Sequence, residues 1–108
     1  MGVRRPVVAG AFYPADPSRL RRSIEESFTH RLGPGKLPSR PSGERTTISV
    51  VCPHAGYMYS GPVAAHGYLQ LSCEGKPDTV VILGPNHTGL GGPVSLGGSD
   101  AWETPRGR

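Results

Sequence analysis

The chain has 108 residues, room for one small domain and not two. Its 16 glycines and 12 prolines punctuate well-defined apolar runs, so the composition reads as loop-rich and folded, although only 35% of residues are hydrophobic. Of the net charge of +4, residues 1–45 carry nine of the twelve Lys and Arg against four acids and residues 46–108 three against four; the second half is excluded as a phosphate-binding surface, and the scattered arginines of the first, with few aromatics among them, argue against nucleic acid.

In chain order, residues 3–14 read as an extended apolar lead-in, which Pro6 and Gly10 keep from being a central strand. A first helix follows, with Asp16 as N-cap and Pro17 at its first position. Leu20, Ile24 and Phe28 form its apolar stripe, and Gly33-Pro34 ends it. Residues 33–46 are a surface loop. Thr46–Cys52 is a continuous apolar run, expected to be a parallel strand buried on both faces. After a loop, Ser60 is expected to cap a second helix with Pro62 in its first turn. Gly75-Lys76-Pro77-Asp78 turns the chain into a second strand, Thr79–Leu83. Val94-Ser95-Leu96 reads as a further short strand, and the tail from Asp100 has no element to close it.

These elements define an α/β domain with a mostly parallel sheet built from βαβ units. So few strands make a thin core with exposed edges. The expectation is that residues 1–108 are the N-terminal part of a larger single domain, incomplete by themselves. Cys52 and Cys73 do not make a disulfide framework, which implies reduced thiols and a cytoplasmic location. No run approaches the length of a membrane span, and the N-terminus is no signal peptide.

Two histidines stand in matched positions. Val50-Val51-Cys52-Pro53 leads to His54, and Val80-Val81-Ile82-Leu83-Gly84-Pro85-Asn86 leads to His87. They are 33 residues apart, and a βαβ unit takes roughly 30 or more. Both imidazoles should therefore stand at the carboxyl ends of neighbouring parallel strands, where open α/β sheets bind ligands. A shared metal site is the reading favoured over two unrelated backbone hydrogen bonds. Such a site needs a third ligand. Cys52, His66, Asp100 and Glu103 are the candidates, and none is convincing. His66 reads better as an N–H donor packed near the sheet. Tyr57 and Tyr59 either line a substrate pocket beside His54 or cap the core. Trp102 either covers a pocket mouth or packs. A GxSxG elbow, a P-loop and CxxC spacing are all absent.

At these residues the chain resembles the Memo family, whose prokaryotic members are often named AmmeMemoRadiSam system protein B. The resemblance rests on 5–14, Pro53-His54-Ala55-Gly56-Tyr57-Met58-Tyr59-Ser60-Gly61, Ile82-Leu83-Gly84-Pro85-Asn86-His87-Thr88-Gly89 and Trp102-Glu103-Thr104-Pro105. It implies a fold similar to class III extradiol dioxygenases, the non-haem iron enzymes that open catechol rings. It also implies that His54 and His87 are two residues of a site for a divalent transition metal, iron or copper. By the same resemblance, the rest of that site is expected from a later Ser-Asp-containing motif, with a further Cys or His depending on the member, beyond Arg108. The sequence departs at Pro105-Arg106-Gly107, where the family usually has leucine between proline and glycine. Two roles follow from the resemblance. One is a metal-dependent, dioxygenase-like redox protein acting on a small molecule. The alternative is a non-enzymatic binding module or adaptor whose pocket holds a peptide or partner.

Overall fold

The structure is a computed structural model that describes residues 2–108. In chain order it has a short strand β1 (Val3–Arg4), helix α1 (Pro17–Thr29), helix α2 (Tyr57–Ser72) and a short strand β2 (Ala101–Trp102). It is a small α/β arrangement in which the two helices pack on each other and β1 pairs with β2 in parallel.

Helix α1 forms for the reasons legible in its residues. The Asp16 carboxylate accepts from the Arg19 amide at 2.9 Å and satisfies one of the unpaired first-turn donors. Pro17 starts the helix, where no amide is needed. Leu20 and Phe28 are buried, four-residue steps on either side of Ile24. The helix stops at Thr29, a few residues before Gly33. Gly35, at a φ of +79°, then donates back to the Phe28 carbonyl at 2.9 Å.

Helix α2 begins at Tyr57, three residues before the expected Ser60 cap, and has Gly56 as N-cap. The Tyr57 amide donates to the Phe12 carbonyl at 2.8 Å, and the Tyr59 and Ser60 amides donate to Gly56. The lead-in therefore supplies the acceptor that starts the helix. Ser60 is buried inside it, and its hydroxyl donates to the Ala55 carbonyl at 3.1 Å instead of capping. Pro62 lies within the helix, not in its first turn, and leaves one backbone donation unmade.

The expected strands Thr46–Cys52 and Thr79–Leu83 form no ladder, and Val94–Leu96 is no strand. This corrects the expectation of a buried parallel sheet. A strand is stabilised by a neighbour, and among the described residues neither segment has one. Ile48 and Val51 are fully exposed, and Val80 to Leu83 are exposed as well. The course of a βα unit is nevertheless present. Thr47 is bonded to Glu74 just past the end of α2, and the Cys52 thiol lies 3.8 Å from the Ala64 carbonyl. Ten helical residues cover about 15 Å at ~1.5 Å each, and residues 47–52 cross that distance at about 3 Å per residue, close to the rise of a strand.

The tail is not loose. Ala101 and Trp102 pair with Val3 and Arg4, the Glu103 amide donates to the Arg4 carbonyl at 2.8 Å, and the Gly2 amide donates to the Asp100 carboxylate at 3.0 Å. The Arg4 guanidinium lies 4.8 Å over the Trp102 ring. Thr104 and Gly107 exchange two backbone hydrogen bonds around Pro105-Arg106, a tight turn that uses Gly107 at a φ of +119°. The expectation of a tail with nothing to close it is corrected: the lead-in is its partner.

Candidate functional site

His54 follows the 46–52 segment and immediately precedes α2. The Glu74 and Cys52 contacts fix the segment along the helix, so His54 arrives at the N-terminal end of α2. His87 is carried by a loop that Asn86 organises. The Asn86 side-chain oxygen accepts from the Gly89 amide at 2.9 Å and the Thr88 amide at 3.2 Å, while its nitrogen donates to the Leu90 carbonyl at 3.0 Å. Such side-chain turns fix a short loop without secondary structure. Gly89 completes it at a φ of +72°. The signal in the sequence that could have found Asn86 is Pro85-Asn86 with Gly89 close behind, a composition typical of turns.

The two imidazoles face one another. Their Nε2 atoms are 3.0 Å apart, the ring centroids 5.1 Å, and the planes are inclined by 43°. Both rings are exposed. The close approach requires one Nε2 to donate and the other to accept. Segments 46–54 and 75–87 both run from the C-terminal end of α2 toward its N-terminal end, which is why the matched residues meet.

The other candidates do not join them. The Cys52 thiol is turned against α2 at Ala64 and Gly67. His66 Nε2 donates to the Leu32 carbonyl at 2.9 Å, tying α2 to the turn after α1. Asp100 and Glu103 lie beside β1. Among the described residues no group of three or more His, Cys, Asp or Glu converges.

A cleft of about 320 Å³ opens beside His54, walled by Phe12, Tyr13, Phe28, Pro53, Tyr57 and Tyr68. Tyr57 also lines a wider groove of about 700 Å³ against the 10–16 turn. The Tyr13 and Tyr57 rings are 5.5 Å apart. Burial, with smaller contributions from Tyr68 and Tyr13, pushes the Tyr57 phenol above its ordinary value, so it stays a donor. Tyr59 is 80% exposed and lines neither cleft. Trp102 lines neither.

One cluster had no signal in the sequence. Glu74 is buried, and its carboxylate accepts from the Thr47 hydroxyl at 2.7 Å, the Thr46 hydroxyl at 2.9 Å and the Thr47 amide at 3.1 Å. The Thr47 hydroxyl above all, with the Thr47 amide, Thr46 and Gln70, holds the carboxyl down to about 2. Arg45 closes the cluster, donating to the Gly75 carbonyl at 2.6 Å and the Leu71 carbonyl at 3.3 Å. A cation at a helix C-terminus satisfies its unpaired carbonyls.

The sequence model of the Memo-like protein family matches residues 4–108. The chain belongs to the Memo family. It is 61% identical over 108 residues to a MEMO1 family protein of Sulfolobus acidocaldarius, which covers 97% of this chain and 38% of that protein. A MEMO1 family protein of Methanopyrus kandleri is 60% identical over 104 residues, with 96% and 37% covered. One of Methanothermobacter thermautotrophicus is 60% identical over 105 residues, with 97% and 38% covered. The chain thus spans less than two-fifths of the length of these curated relatives. No solved structure matches it. No described helix is long and apolar enough to cross a membrane.

Proposed function

We propose that His54 and His87 hold one divalent transition metal, iron or copper, in a dioxygenase-like redox protein acting on a small aromatic substrate in the cytoplasm. The observation that supports this reading is the 3.0 Å approach of the two Nε2 atoms at an open loop edge. Two nitrogens bound to one ion at about 2.0–2.1 Å and roughly a right angle are about 3 Å apart, so the donor set fits with little movement. A bound ion of this kind supplies Lewis acidity and one-electron chemistry at its open positions. The protein's own groups bind and orient. Phe12, Phe28 and Pro53 give the adjoining cleft apolar walls that exclude water. The Tyr57 phenol, kept protonated, is a donor to a polar group of the substrate. The third ligand comes from outside the described residues.

Metal content after reconstitution with Fe(II) or Cu(II) tests the proposal. The His87→Ala protein should retain less than about a tenth of the wild-type metal, since losing a direct ligand costs at least the roughly 10–100-fold of losing a group that orients one. Equal occupancy would sink it.

The cleft itself supports a second reading. A mostly apolar pocket with tyrosines at its wall also suits a peptide or partner loop, without chemistry. Oxygen consumption with Fe(II) and catechols separates the two. No turnover, together with peptide binding lost in Tyr57→Ala, selects the binding module.

A further inference from the structure

His87 sits between two residues whose side chains fold the chain back around it. The Asn86 side-chain oxygen accepts from the Gly89 amide at 2.9 Å, the Thr88 amide at 3.2 Å and the Thr88 hydroxyl at 3.3 Å. The Asn86 side-chain nitrogen donates to the Leu90 carbonyl at 3.0 Å, and the Thr88 hydroxyl oxygen accepts from the Leu90 amide at 3.2 Å. Every one of these bonds joins residues four or fewer positions apart, so the turn depends on no other element. The partners also fix which way the Asn86 amide faces, because backbone N–H groups only donate and the Leu90 carbonyl only accepts.

The two histidines are held by different devices. His54 leaves from the entry of a helix: the carbonyl of its neighbour Ala55 accepts from the buried Ser60 hydroxyl of α2 at 3.1 Å. Among the described residues no helix follows His87, and the Asn86 turn stands in its place. With the backbone on both sides of His87 fixed, the ring keeps only the rotations of its own side chain. The conformational entropy of bringing it to His54 is lost on folding and does not oppose a later binding step.

The same bonds exclude the Asn86 side chain as a ligand. Its oxygen has two lone pairs, already shared by three donors, and its nitrogen acts as a donor. Whatever Asn86 contributes passes through His87.

We propose that Asn86 is the positioning residue of His87, holding the imidazole, through the bonds to its side-chain oxygen, where Nε2 lies 3.0 Å from that of His54. The use of this placement for an ion rests on the reading of the pair as a metal site; the placement itself does not.

Proton NMR of the metal-free chain reads the placement, and titration with Cu(II) reads its use. In the wild type a nuclear Overhauser contact should join the two imidazoles, whose centroids are 5.1 Å apart. Asn86→Ala should abolish that contact, leave the helical circular dichroism unchanged and weaken Cu(II) binding at least about tenfold, the lower end of what losing a group that orients a ligand costs. Asn86→Asp keeps the acceptor for both amides and the Thr88 hydroxyl and loses only the donation to Leu90, so the ring contact should survive in it. Its added charge attracts a cation whatever the geometry, which makes the ring contact its readout. A ring contact absent from the wild type, or one that survives in Asn86→Ala, would overturn the proposal and leave the metal site standing. Loss of the contact in Asn86→Asp as well, or loss together with the helical signal, would overturn it too, since the side-chain oxygen would then have no specific part in placing the ring. A wild-type contact that Asn86→Ala abolishes, in a protein that binds no Cu(II), would uphold the positioning role and remove the metal reading instead.

Discussion

At the scale of single residues, Glu74 shows how much one buried carboxylate organises. It joins the start of the 46–52 segment to the end of α2 through two threonine hydroxyls and a backbone amide. Because those bonds favour the charged form, the folded-state pKa of about 2 lies below the ordinary 4.5. Between those values the unfolded chain binds the proton more readily than the folded one. The stabilisation is complete above about pH 4.5 and is lost as pH falls toward 2. Melting temperature followed over that window should fall in the wild type. Glu74→Gln should melt lower at neutral pH and lose less on acidification. A variant with the wild-type pH profile would remove Glu74 from this role. Nothing in the local sequence Ser72-Cys73-Glu74-Gly75 marks the residue, because its two threonine partners are 27 and 28 residues away.

At the scale of elements, the contact between α1 and α2 depends on a small residue in each pair. A Cβ at Gly61 would stand 2.6 Å from the Ser27 hydroxyl, which itself donates to the Ser23 carbonyl at 3.0 Å. Alanine gains about 1 kcal/mol of helix propensity over glycine, whereas overpacking costs about 1–3 kcal/mol. Gly61→Ala should therefore destabilise by about 0–2 kcal/mol, as the difference of those terms. In a Ser27→Ala background the hydroxyl is gone and the same change should become stabilising. A double-mutant cycle by urea unfolding measures the coupling; additive effects would contradict the contact. The first helix was readable because its cap, proline and stripe are all local. The start of the second was not. Ser60 has the chemistry of a cap, but the acceptor that starts the helix three residues earlier is the Phe12 carbonyl, 45 positions away.

For the whole molecule, the described residues bury only Leu20, Phe28 and Ala65 among apolar side chains. The radius of gyration is 15.1 Å, against about 13 Å for a compact chain of this size. Urea unfolding of the isolated chain should therefore show an m value below the ~1–3 kcal/mol/M usual for small proteins. A steep cooperative transition within that range would contradict the thin core. The same thinness explains why the buried sheet expected from the apolar runs is missing. Those runs are suited to burial on both faces, and burial is conferred by neighbours.

The sequence by itself determined the first helix, the family, and the correspondence of His54 with His87, since caps, stripes and matched strand-end motifs are properties of contiguous residues. Only the tertiary structure decided that the two Nε2 atoms approach to 3.0 Å, that the tail pairs with the lead-in, that Tyr57 but not Tyr59 lines the cleft, and that Glu74 fastens segment to helix. Apart from the histidine pair, whose spacing of 33 residues suits a βαβ unit, each of these joins residues whose separation along the chain carries no information about their distance in space. The long-range contacts are set by how α2 packs on the segments and turns on either side of it.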